Sequence, residues 1–395
     1  MFSFLVLVTI VVGVVAAVQL SKVSQLAAKL RNKREEEISD ADNKMNAWLM
    51  MIFMIGFFIS TIYLYAVYGN HYGDNGDFLP TAASKHGVDY DWLLLLNFLI
   101  ITIVFFIVQF ALFFCAWKYY YRKDRKALFF VHDNKLELIW TVVPSIVLAF
   151  IIIFGLITWN DITSEELTED AIKVEVYSKQ FDWTMRYPGQ DGELGYSNYN
   201  LITGKNPLGI VTEDLIELQI EELNGQIAGI EEKLAAQGSY LPPAEVEELE
   251  DKIYRLGRHK LRLRDLGVSN KVASNEVAKG MDDLIVKGEL HLPVDREVEF
   301  VFNSRDVIHS AYFPHFRAQM NTVPGQPTRF KMTPTITTAK MRKDLEDDKF
   351  DYILLCNKVC GASHNNMAVK VIIESQEEYD KWLNEQKTFA SIVNG

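Results

Sequence analysis

The sequence predicts an α+β membrane protein: apolar helices at the N-terminal end, then a small β-sandwich interrupted by an antiparallel helical hairpin. Three observations carry this. First, 49% of the 395 residues are hydrophobic against 23% charged, and the apolar ones are concentrated before Trp159. Second, beyond Trp159 the pattern changes to short alternating runs typical of strands. Third, residues 216–263 hold apolar positions at steps of three and four, which is heptad spacing.

Four nearly uncharged segments, Phe2–Leu20, Ala47–Tyr68, Trp92–Trp117 and Leu138–Trp159, each approach the roughly 20 residues a helix needs to cross a bilayer. Buried core helices seldom run so long without a charge. The first segment lacks a basic leader and has a poor cleavage site after Ala16 or Ala17, so it reads as a span rather than a signal peptide. The loop after it carries Lys22, Lys29, Arg31, Lys33, Arg34 and Lys44, and the loop before the last span carries Lys118, Arg122, Lys123, Arg125, Lys126 and Lys135. Between Gly69 and Asp91 the only lysine is Lys85. The excess of positive charge places the first and third loops in the cytoplasm. Four spans then put the N-terminus and everything after Trp159 on the outer, periplasmic side. The formal charge of −12 belongs largely to that outer part and would attract basic partners at low salt; no nucleic-acid partner is expected.

In the outer half, residues 172–187 alternate in strand fashion, and residues 283–304 read as two strands around a Pro-containing turn. PTRFKM, FDYILLC and MAVKVIIES supply further strands, and the series suggests a sandwich. The heptad runs as Ile216, Ile220, Leu223, Ile227, Ile230 and Leu234, then as Val246, Leu249, Ile253, Leu256 and Leu263. QGSYLPP breaks it, with Pro242 and Pro243 suited to a helix start and Gly267 to a helix stop. Heptads report packing, so the hairpin is equally a self-packed protrusion or a docking arm for another subunit.

Of the three cysteines, Cys115 lies in a span and reads as a packed apolar residue. Cys356 and Cys360 stand in CNKVCGASHNNM, followed by His364 and Met367. Structural zinc sites bring a second ligand pair from elsewhere, and none exists here. A disulfide would leave His364 and Met367 unexplained. Copper explains more: cupredoxin-type sites use histidines, cysteine and a weak axial methionine, with one histidine from a distant segment. His309 of SRDVIHS is the candidate. Two thiolates in one such loop allow two copper ions to be bridged, an arrangement suited to electron transfer.

With these residues assembled, the chain resembles subunit II of the haem–copper cytochrome c oxidases. C-x3-C-x3-H-x2-M matches at every ligand position, DVIHS matches the segment holding the first histidine, and MNTVPGQPTRF and KLELIWTVVPS resemble two further stretches of that family. The likeness covers about residues 92–187 and 280–385. It implies a two-helix membrane hairpin followed by a cupredoxin sandwich with a dinuclear copper centre (CuA). His309 and Met367 would bind one copper, His364 and the Lys358 carbonyl the other, and Cys356 and Cys360 would bridge both. Electrons would pass from a c-type cytochrome to haem in subunit I, where oxygen is reduced to water with proton translocation. The chain would therefore be part of an oxidoreductase while not catalytic alone.

The implied organisation is two additional transmembrane helices in 1–70, a subunit II helix hairpin in 92–160, the copper domain in 170–200 and 270–385, and an inserted helical hairpin in 205–268. The expected setting is a bacterial inner membrane, with subunit I, other oxidase subunits and lipid as partners. Three departures stand out. Lys358 replaces a glutamate whose side chain binds magnesium at the subunit I boundary, and Asn321 stands where aspartate is usual, which puts magnesium in doubt. Phe181 replaces the first tryptophan of Q-W-x-W, where electrons enter, while Trp183 keeps the second; the donor then either uses Phe181 or docks differently, for example as part of a permanently associated complex. The chain has no C-x-x-C-H haem attachment of its own. The third departure is the extra helices and the hairpin, which suggest assembly in a larger complex. Glu137, at the cytoplasmic mouth of the last span, matches the glutamate at the entrance of a proton pathway. Two alternatives are a quinol-oxidase subunit II, which lacks the ligands this chain has, and a non-catalytic copper-binding or assembly protein, which would not need LELIWTVVP.

Overall fold

The computed structural model describes residues 12–16, 18–20, 22–23, 26–27, 29–30, 40–68, 79–129, 131–268 and 279–394. Three helices among them are long and apolar enough to cross a membrane: α1 (Asp40–Tyr68), α2 (Lys85–Lys118) and α3 (Asn134–Thr163). The predicted span Phe2–Leu20 lies largely outside the described residues. All three spans are longer than the sequence suggested, because helical hydrogen bonding continues past the apolar core: α1 begins at Asp40 rather than Ala47, α2 begins at Lys85 rather than Trp92, and α3 runs from Asn134 to Thr163. Asp133 accepts backbone N–H bonds from Lys135 and Leu136, which satisfies orphan donors at the start of α3. The spans bury almost none of their apolar surface within the chain, the exterior a bilayer or partner helices call for. Cys115, expected to be packed, is exposed on α2 for this reason.

The chain divides into two units, residues 1–70 with 96–147, and residues 71–95 with 148–395. In the first, Trp48 meets Trp117 edge-on at 5.4 Å and Phe58 meets Phe106 at 4.7 Å, so aromatic contacts join α1 to α2.

The second unit holds the sandwich. One sheet has the order β3-β2-β1-β5-β8 and the other β4-β10-β9-β6-β7. The ranges are β1 Ile172–Lys179, β2 Asp182–Tyr187, β3 Leu284–Lys287, β4 Glu289–Pro293, β5 Val298–Ser304, β6 His309–Phe313, β7 Ala318–Thr322, β8 Thr328–Met332, β9 Tyr352–Cys356 and β10 Ala368–Glu374. Residues 283–304 form three strands, not the two expected. Gly288, at φ +90°, breaks the first run so that β3 joins one sheet and β4 the other. Between the sheets Phe300, Phe302, Phe313 and Phe330 pack at centroid distances of 5.4 to 6.2 Å. Each fully buried side chain of this kind contributes roughly 1.5–3 kcal/mol.

The outer face of the first sheet is covered too. There Arg186 of β2 donates to Glu175 of β1 and, at 3.0 Å, to Asp283, all three nearly inaccessible to solvent. The interrupting segment forms the expected hairpin of α4 (Glu213–Gln237) and α5 (Pro243–Val268). Thr212 caps α4 by accepting from the Leu215 N–H. Ile216, Leu223 and Leu263 pack with Leu201 and Val211, which fixes the base of the hairpin to the segment before it. Gly267 falls inside α5, which continues to Val268, instead of ending it.

Candidate metal centre

The candidate ligands meet because β6 and β9 are antiparallel neighbours. His309 opens β6, Cys356 closes β9, and Ala311 sits opposite Cys356. The loop from Asn357 to Met367 is tied back onto these strands. The Asn357 N–H donates to Ser310 O at 2.9 Å, and the Cys356 N–H donates to Met367 O at 3.1 Å. Inside the loop, residues 364–366 form a 3-10 turn, and His364 N–H donates to Gly361 O.

Six donor groups converge as a result. Cys356 Sγ lies 3.9 Å from Cys360 Sγ, 3.9 Å from His309 Nδ1 and 3.2 Å from the Lys358 carbonyl oxygen. Cys360 Sγ lies 3.6 Å from His364 Nδ1 and 3.9 Å from Met367 Sδ. His309 is fully buried, Met367, Cys356 and Cys360 are buried, and His364 is half-buried. Both cysteines are free thiols. Burial, and next to it the facing Cys356, push the Cys360 thiol up to about 11, so two thiolates at this spacing call for a cation. A thioether inside a ring of thiols and imidazoles is a soft set that fits copper better than zinc, which takes no such ligand.

Two residues not singled out in the sequence hold the set in place. Asp306 Oδ1 lies 2.9 Å from His309 Nε2, and its Oδ2 accepts from the Gln180 N–H at 2.7 Å. Burial would raise the Asp306 carboxyl, but the bonds from Gln180 N–H, the His309 ring and Val307 N–H hold it below the usual range. The Gln180 side chain donates to Cys360 O, so the turn between β1 and β2 touches both the segment before His309 and the cysteine loop. The signal was a carboxylate three residues before a candidate ligand histidine; metal-binding imidazoles commonly give their second N–H to such a group.

Trp183 is fully buried, edge-on to His309 at 6.1 Å, with Nε1 donating to Met367 O at 3.4 Å. Phe181 is half-buried and lies against Gly361, where a Cβ would stand 2.8 Å from its ring; at φ +145° that position favours glycine. Lys358 and Asn321 are both exposed, and Lys358 offers the cluster only its carbonyl. Neither side chain suits magnesium, since an ammonium repels it and a lone amide oxygen binds it weakly. Glu137 is not part of this constellation. It sits in the first turn of α3, with Oε1 3.4 Å from His132 Nδ1.

A cupredoxin-like sandwich carried on membrane helices, with a two-histidine, two-cysteine, methionine pocket, defines the class of protein. Two family models match it: cytochrome c oxidase subunit II, transmembrane domain, over residues 70–157, and cytochrome c oxidase subunit II, periplasmic domain, over residues 268–375. Both matched regions are those of a cytochrome c oxidase subunit II. It is 28% identical over 298 residues to the alternative cytochrome c oxidase subunit 2 of Bradyrhizobium diazoefficiens, covering 75% of this chain and 80% of that one. It is 24% identical over 307 residues to cytochrome c oxidase subunit 2 of Cereibacter sphaeroides, covering 78% of each. Among solved structures there is a slight likeness, at a TM-score of 0.27 and 15% identity, to the periplasmic domain of subunit II of cytochrome oxidase from Bradyrhizobium japonicum, covering 55% of this chain and 95% of that one.

Proposed function

We propose that electrons from a c-type cytochrome enter a cytochrome c oxidase through this subunit and reach the haem of subunit I, where oxygen is reduced to water with proton translocation. The observation that carries the reading is the pairing of thiols with imidazoles: Cys356 with His309 at 3.9 Å and Cys360 with His364 at 3.6 Å, the two sulfurs 3.9 Å apart. His309 and Met367 would hold one copper, His364 and the Lys358 carbonyl the other, with Cys356 and Cys360 supplying thiolates to the pair. When bound, the copper pair supplies one-electron storage shared between two metals.

The chain's own residues do the rest. Buried Trp183 and Met367 keep water from the inner side of the site. Asp306 keeps the His309 proton on Nε2 and so leaves Nδ1 for the metal. Phe181, nearer the surface than Trp183, is the aromatic group a donor meets first. Glu137 stands at the entrance of a proton pathway into subunit I. The outer side of a bacterial inner membrane is the expected place for the copper domain of 170–200 and 270–385. The helices of 92–160 dock on subunit I, and segments 1–70 and 205–268 serve assembly with other subunits. Copper analysis of the purified protein tests the reading: two copper ions per chain are expected, both lost in Cys356→Ser. One copper, or none, would contradict it.

A further inference from the structure

Three segments meet over the metal pocket and form one surface. The turn after β1 reaches the segment 305–308 through the bond from Gln180 N–H to Asp306, and Arg305 N–H donates to Ser178 O at 2.9 Å. The same turn reaches the cysteine loop through Gln180 to Cys360 O and Phe181 against Gly361. Eight large apolar side chains are exposed beyond Trp159 among the described residues, and three of them belong to this surface: Val307, Ile308 and Val359, the last 85% exposed. The other five lie on the α4–α5 hairpin or just before it.

The charge of this surface is opposite in tendency to that of the chain. It carries Lys179, Arg305 and Lys358 against Asp182 and Asp306, a balance of +1 in a protein of net charge −12. Asp306 is committed to the Gln180 and Val307 N–H groups and to His309. Among the described residues the three cations make no side-chain ion pair, so their charge remains available to a partner. An apolar centre with a ring of unspent charge is the anatomy of a transient docking face, in which the rim steers the encounter and the centre excludes water.

We propose that this face docks an acidic c-type cytochrome, whose carboxylates meet Lys179, Arg305 and Lys358 around an apolar contact made by Phe181, Val307, Ile308 and Val359. The inference rests on the electron-transfer reading above and names the donor's charge. It also departs from what the chain's overall acidity suggests, because docking is governed by charge within about a Debye length, roughly 10 Å at 0.1 M salt.

The test is stopped-flow reduction of the copper centre in the purified oxidase complex by two c-type cytochromes, one acidic and one basic, over a range of ionic strength. The acidic cytochrome is expected to react faster at low salt, and to slow as salt rises. Lys179→Glu with Arg305→Glu is expected to slow it severalfold and to invert its salt dependence. A basic cytochrome that reacts faster at low salt and slows with added salt would overturn the proposal, as would equal, salt-insensitive reduction by both. The wild-type salt dependences decide this even without the variant. Reduction by dithionite but by neither cytochrome would instead overturn the electron-transfer reading itself.

Discussion

The His309 ring is held on both sides: its Nε2 lies 2.9 Å from Asp306 Oδ1, while its Nδ1 faces Cys356 Sγ at 3.9 Å. The carboxylate thereby selects which nitrogen is free for metal. Removing it in Asp306→Ala should lower copper affinity by about 10–100-fold, the usual scale for a partner of a ligand histidine. Titration against a competing chelator measures this. Unchanged affinity would show that strand geometry alone orients the ring.

Phe181 is half-buried, whereas Trp183 is fully buried. Phe181→Ala should slow reduction by the cytochrome donor severalfold while copper content and spectrum stay the same. Phe181→Trp should restore or raise the rate. A rate indifferent to both changes would place the electron path elsewhere on the surface.

The Arg186, Glu175 and Asp283 cluster makes stability depend on pH. Burial, against the pull of Arg186 and the Gly195 N–H, pushes the Asp283 carboxyl up from 3.8 to about 7. The folded chain therefore holds that proton more tightly than the unfolded chain, and the stability this contributes is lost as pH rises through about 7. Asp283→Asn should flatten the fall in thermal midpoint over that range. Arg186→Leu removes the partner of buried Glu175 and Asp283 and should cost about 3–5 kcal/mol near neutral pH. Thermal unfolding of the detergent-solubilised chain across pH checks both.

Glu137 lies in the first turn of α3, close to His132. In the assembled oxidase Glu137→Gln should slow proton-coupled turnover and leave reduction of the copper centre by its donor untouched. Turnover equal to wild type would reduce Glu137 to a solvated helix start.

Much of this was legible in the sequence because the spacing of Cys356, Cys360, His364 and Met367 is local, and local spacing survives folding. The hairpin break at QGSYLPP was legible for the same reason, since proline and heptad phase both act along the chain. What stayed hidden depends on contacts between distant segments. Asp306 and Gln180 gain their roles only when the β1–β2 turn meets the loop before His309. Residues 283–304 hid a third strand because Gly288 redirects the chain with no change in hydrophobic pattern. β6 and β7 escaped notice too, being short runs rich in polar residues whose pairing, not alternation, makes them strands. The short helix Thr338–Leu345 has a capping residue in Thr337 but too few apolar positions to announce itself.

The central claim is that Cys356 and Cys360 bridge two copper ions rather than hold one. Electron paramagnetic resonance of the purified, oxidised protein tests it most directly. The arrangement of six donors predicts hyperfine structure from one unpaired electron shared equally by two copper nuclei. The four-line pattern of a single copper, or no signal from a copper-loaded sample, would contradict it.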